Sequence, residues 1–196
     1  DIEIYTSQDA LKEYFYGDGT KIKVQIWSGL YKKELFENIR FPVGKVYEDG
    51  YVTPKILARS SKIVFLDYPG YVYYMREGSY MHSTLSNEKI AAYDLYKDIY
   101  PIVCNNYPVF KKLIIEKWIF QYIYTYRTIK KDSNYTFIQK KKWYEKIYNE
   151  LLVDQNFLLQ QDLSNSCKRQ LKLFLFSPIL FNLYIDFVEL RGNING

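Results

Sequence analysis

The sequence predicts an α/β part over residues 1–85, a partial sheet with flanking helices, followed by an all-α C-terminal helical bundle over 86–196. Three observations predict it. Lys21 to Trp27 alternates apolar and polar residues with the period of two that marks a half-buried strand. Short strand and helix patterns then alternate as far as Met75, the order of an α/β domain. Beyond Ser86 the strand signals stop, and apolar residues recur at helical spacing.

Ser7 to Tyr16 reads as a short helix with Ser7 as its N-cap and Gly17-Asp18-Gly19 as its stop. After the Lys21–Trp27 strand, Lys32 to Asn38 gives a second short helix, broken by Phe41-Pro42-Val43-Gly44. Val52, Ile56 and Leu57 set an apolar stripe on a helix from Asp49 to Arg59, in which Pro54 is accepted as a first-turn residue. Lys62 to Asp67 and Tyr71 to Met75 read as strands separated by the turn Tyr68-Pro69-Gly70. In the second part, Ala92, Leu95, Tyr96, Ile99 and Val103 share one face of a helix capped by Ser86 or Asn87. Pro108 opens a helix over Val109 to Ile129 that is apolar nearly all round, as expected at the centre of a bundle. Tyr144, Ile147, Tyr148 and Leu151 mark another, and Leu180, Leu183, Tyr184 and Phe187 a last one from Pro178.

Composition places the chain in the globular range, with 48% hydrophobic and 25% charged residues. The 22 tyrosines and 12 phenylalanines suit interfaces and sugar-facing surfaces as well as cores, and codon bias accounts for them equally well. Cys104 and Cys167 lie far apart with no CxxC and no histidine cluster, so neither a zinc site nor a disulfide framework is expected and a reducing cytoplasm is the default compartment. Residues 1–85 carry 11 basic and 11 acidic side chains, and 86–196 carry 16 and 11, so the net charge of +5 belongs to the helical half. Such a half fits an anionic partner; without a nucleic-acid recognition motif, no nucleic acid is expected, and an anionic inner membrane face is.

The pieces WSGLYKKELF, IRFP, GKVYEDGY, KILARSSKIVFLD and GYVYYMREGS run in that order within the segment Trp27 to Ser83. Their order and spacing resemble the acceptor half of a family-2 glycosyltransferase of the GT-A fold, covering residues 1–85; residues 86–196 resemble the family only as a type of helical tail. The resemblance implies an inverting sugar transfer from a nucleotide-sugar donor to a glycan or lipid-linked acceptor, in surface polysaccharide or glycoconjugate synthesis. It implies Asp49 as general base and Glu48 as the residue orienting acceptor or loop. Arg76 and Ser79 would hold the donor diphosphate, His82 would complete a divalent metal site (Mg or Mn), and Trp27 and Tyr31 would form the acceptor floor. The family's metal-binding Asp-x-Asp is missing from the sequence. The chain is therefore expected to be the C-terminal part of a larger enzyme, inactive alone, with the metal bound only alongside the donor half.

Plainer readings stand beside these. Glu48-Asp49 also reads as an exposed helix start, Trp27 and Tyr31 as core packing, and His82 as a surface residue. Lys168 to Leu190 reads as an interfacial amphipathic helix pair touching a membrane, or as bundle helices; Lys172, Asn182, Asp186, Glu189 and Pro178 argue against a span. The alternative function is a non-catalytic interaction module, a degenerate transferase or partner-binding protein. A glycosidase is weaker, because adjacent carboxylates are poorly placed to face each other across a bond. An exposed sheet edge left by a missing half makes a homodimer or strand-exchanged assembly a further expectation.

Overall fold

In the computed structural model, which describes residues 1–72, 74 and 86–194 (the side chains of 189–194 excepted), strand β1 (Ile2–Tyr5) pairs antiparallel with β2 (Ile63–Leu66). The register sets Ile2 opposite Leu66 and Ile4 opposite Val64, so these four side chains share one face, and all four are exposed. The other face, with Glu3, Tyr5, Ile63 and Phe65, is half-buried. The sequence reading began only at Ser7 and missed β1. Four residues are too short a run to stand out, and what makes them a strand is a partner some sixty positions away.

Helix α1 (Ser7–Tyr16) forms over the expected residues, but its cap is Thr6. The Thr6 hydroxyl oxygen accepts from the Asp9 amide at 3.2 Å, while Ser7 is buried as the first helical residue. Helix α2 (Glu48–Arg59) packs against both α1 and α4 (Leu95–Asn106). Its core contribution is Tyr51, Val52, Ile56 and Leu57. Pro54 falls in the second turn, not the first, and so leaves the Gly50 carbonyl without its helical donor.

Lys21–Trp27 is not a strand. It runs as an irregular segment into a single 3-10 turn, Ile26–Ser28, and pairs with no strand among the described residues. Its alternation is satisfied otherwise: Ile22 is buried, the Val24 carbonyl accepts from the Thr53 hydroxyl at 2.7 Å, and Lys21 pairs with Glu3 at 2.7 Å. Lys32–Asn38 forms only a 3-10 turn, Lys33–Phe36. Of the expected strand Tyr71–Met75, residues 71, 72 and 74 are irregular and the other two lie outside the described residues.

The helix expected after Ser86 forms as α3 (Asn87–Ala91), a 3-10 turn (Ala92–Asp94) and α4, with the Ser86 hydroxyl capping at Lys89. The last described strand ends at Leu66 and the described elements from Asn87 on are helical, while the compact units are Asp1–Lys111 and Lys112–Gly196. In the second unit α5 (Lys111–Lys131), α6 (Phe137–Leu159), α7 (Asn165–Phe176) and α8 (Pro178–Ile194) follow one another. Thr136 and Gln139 form a reciprocal capping box at the start of α6. Ile114, Ile115, Tyr122, Ile147, Leu151, Leu171 and Phe174 fill the interior, and Phe174 meets Tyr126 and Phe181 edge-on at 5.1 and 5.5 Å. The result is a small sheet with helices followed by a helical bundle. No described helix is long and apolar enough to cross a membrane.

Candidate functional site

The approach to α2 is sharply bent. Gly44 has φ 72°, and Tyr47, just before the helix, has φ 60° and ψ 32°. A bulky residue held in the left-handed region costs about 1–2 kcal/mol, so surrounding contacts must enforce it. They are visible: Lys45 Nζ lies 2.6 Å from Asp94 Oδ1, which also accepts from the Tyr51 hydroxyl at 2.6 Å, and the ammonium sits 5.0 Å from the Tyr51 ring centre. A second ion pair, Lys55 with Asp98, ties α2 to α4 one turn on. Gly50 completes the fit, since a Cβ there would lie 2.7 Å from Leu95 Cδ1.

This bend sets the acidic pair at the first turn of α2. Glu48 is exposed. Asp49 is half-buried, and its carboxyl is pushed above the usual carboxylate range, first by burial and then by the charge of Glu48, against a lowering hydrogen bond from the Ile26 backbone. Desolvation and the neighbouring charge thus outweigh the favourable pull of the helix start on a carboxylate. A carboxylate with raised proton affinity is better suited to take a proton than an ordinary exposed one.

Tyrosines surround it. Burial raises the Tyr14 hydroxyl well above its ordinary value, with Tyr96 and Asp49 contributing, and burial followed by the Asp49 charge does the same for Tyr31. Tyr31 is half-buried against Ile39, Val52 and Ile56 and meets Phe36 edge-on at 5.9 Å. Trp27, directly after the residue that bonds Asp49, stacks on Tyr71 at 4.2 Å between ring centres while both stay exposed. The structure thus brings Asp49, Tyr31 and the Ile26–Trp27 segment together. Arg76, Ser79 and His82 lie outside the described residues. Reasoning from sequence missed Tyr14, Tyr71 and the Lys45–Asp94–Tyr51 group. Only the excess of tyrosine hinted at the first two, and nothing local links residue 45 to 94.

Among the described residues no group of three or more His, Cys, Asp or Glu side chains is placed to hold a metal ion. The described residues therefore do not make up the divalent site that the resemblance implies, and no chemical step is routed through one. Both cysteines are free, and burial pushes the Cys104 and Cys167 thiols up to about 11, which leaves them poor nucleophiles.

Fold and site define a small sheet-and-helix unit with an acidic pair at a bent helix start, joined to a helical bundle. The chain is similar to a transferase: over 93 residues, 47% of its length, it is 33% identical to glycosyltransferase GlyA of Streptococcus pneumoniae serotype 4 (strain ATCC BAA-334 / TIGR4). The match spans 13% of that protein's length. No family model and no solved structure matches.

Proposed function

We propose that this chain is the acceptor-side and C-terminal portion of an inverting glycosyltransferase that moves a sugar from a nucleotide-sugar to a glycan or lipid-linked acceptor in surface polysaccharide or glycoconjugate synthesis. Asp49 acts as the general base: its carboxylate takes the proton of the acceptor hydroxyl as that oxygen attacks the anomeric carbon, and the nucleoside diphosphate departs from the opposite face. Glu48 orients the acceptor or its loop. Trp27 and Tyr31 offer ring faces to the acceptor's C–H surface, and Arg76 and Ser79 meet the charge of the leaving diphosphate.

The observation that carries this reading is the convergence of the Ile26–Tyr31 segment on Asp49, whose raised proton affinity suits a base. Similarity to a named glycosyltransferase supports the reaction class. The match spans only 13% of that relative's length, which supports placing the activity in a longer enzyme that contains this chain, with the chain alone expected to be inactive.

The test is Asp49→Asn in that full enzyme, followed by nucleoside diphosphate release with acceptor present. The expected fall in kcat is about 10²–10⁴-fold with donor affinity and circular dichroism unchanged. Activity within about tenfold of the parent would remove Asp49 from the role of base.

A further inference from the structure

Helix α8 packs Phe181 into the bundle but leaves most of its other apolar residues from 179 to 188 in water. One polar residue turns inward: Asn182 is 5% exposed and lines a cavity with Tyr126 and Tyr144, and its Oδ1 has no hydrogen-bond partner among the described residues. Asp186 binds Arg127 Nη2 at 3.1 Å and Lys130 Nζ at 3.4 Å, both on α5. Around the buried Phe181, the neighbouring apolar residues turn outward: Ile179 is 71% exposed, Leu180 49% and Leu183 59%. At the end of α7, Phe176 is 79% exposed, and the chain turns at the extended Ser177 into α8, so Phe176 and the exposed Ile179–Leu183 residues flank one corner of the chain. Leaving such apolar side chains in water forfeits burial that the inward Asn182 does not repay.

The charge at this corner indicates what covers it. Lys168, Arg169 and Lys172 lie with Asn165, Leu173 and Phe176 along one groove of α7, so three cations share a groove with the exposed Phe176 at this corner. No aspartate or glutamate occurs between Leu163 and Ile185. A second copy meeting this patch would bring cations with no carboxylates of the patch to answer them. A surface that is anionic at its face and apolar beneath satisfies both halves. The cations meet its charge, and Phe176, Ile179, Leu180 and Leu183 enter the acyl boundary.

We propose that the α7–α8 corner is a monotopic docking surface for an anionic lipid bilayer, with Lys168, Arg169 and Lys172 on headgroup phosphates and Phe176, Ile179, Leu180 and Leu183 inserted below them. The helices lie on the bilayer and do not cross it, in keeping with the absence of any described helix suited to a span. This surface is independent of the sugar-transfer reading, and its test needs no donor.

The experiment is flotation of the full chain with phosphatidylcholine vesicles, with and without phosphatidylglycerol, at rising salt. Binding is expected only with the anionic lipid and should weaken as salt rises. Replacing the three cations together (K168Q/R169Q/K172Q) should weaken partitioning about a hundredfold, at about fivefold per cation near an anionic surface. Leu183→Asp, at an exposed position, should abolish binding with circular dichroism unchanged. Absence of binding to anionic vesicles, or binding that neither variant alters, overturns the proposal. So does a concentration-dependent dimer that Leu183→Asp dissociates in a chain that ignores vesicles, which would assign the corner to a second copy.

Discussion

Asp94 is the residue whose removal most directly tests how α2 is held. Its carboxylate, 27% exposed, takes both the Lys45 ammonium and the hydroxyl of Tyr51, which is itself 1% exposed. Each charge-assisted hydrogen bond contributes about 1.5–3 kcal/mol, and partial exposure trims the sum, so Asp94→Ala should cost the first unit about 2–4 kcal/mol. Asp94→Asn keeps an acceptor for Tyr51 and loses the ion pair, for about 1–2 kcal/mol. Tyr51→Phe should cost about 1–1.5 kcal/mol, and the cycle of Tyr51→Phe with Asp94→Ala should show a coupling of about 1 kcal/mol. Native-state hydrogen exchange at the Ile56 and Leu57 amides reads the first unit separately from the bundle. The reasoning fails if Asp94→Ala lowers protection there by less than about 0.5 kcal/mol, or if alanine and asparagine cost the same.

A second test concerns pH. Because the folded state raises the Asp49 carboxyl, the native protein binds this proton more tightly than the unfolded chain, so the group's stability contribution falls as pH rises from the ordinary aspartate range through its raised value. Asp49→Asn should therefore unfold later than the parent in urea at neutral pH, and the difference should vanish in acid. Leu151 has no exposed surface, and Leu151→Ala should destabilise the helical unit by about 2–5 kcal/mol in urea melts. Thr136→Ala removes one half of the α6 capping box and should cost about 1 kcal/mol, measured as added exchange at the Gln139 amide.

Much of the fold was legible where the signal is local. Helix α1 was delimited to the residue because Tyr16 is followed by Gly17-Asp18-Gly19, and the α6 face was visible in the spacing of Tyr144, Ile147, Tyr148 and Leu151. Lys21–Trp27 was misread because period two records only alternate exposure. A strand also needs a neighbour to take its amides, and here Thr53 takes the Val24 carbonyl instead. The cap of α1 shifted by one because Thr6 and Ser7 are chemically equivalent candidates, and packing chose which was buried. At the candidate site the pair Glu48-Asp49 stood out with Trp27 and Tyr31, but their roles came from the order of motifs and not from any one residue.

What the sequence alone determined is the main helices and the acidic pair, because helix period, caps and breakers act over a few neighbouring residues. The tertiary structure alone decided the rest. It joined Ile2–Tyr5 to Ile63–Leu66, set Asp94 on both Lys45 and Tyr51, buried Asp49 enough to raise its proton affinity, and turned α8 so that Asn182 faces in while Leu183 faces out. Each of these depends on which distant surface a residue meets, and a periodicity gives a helix its faces without saying which of them will be covered.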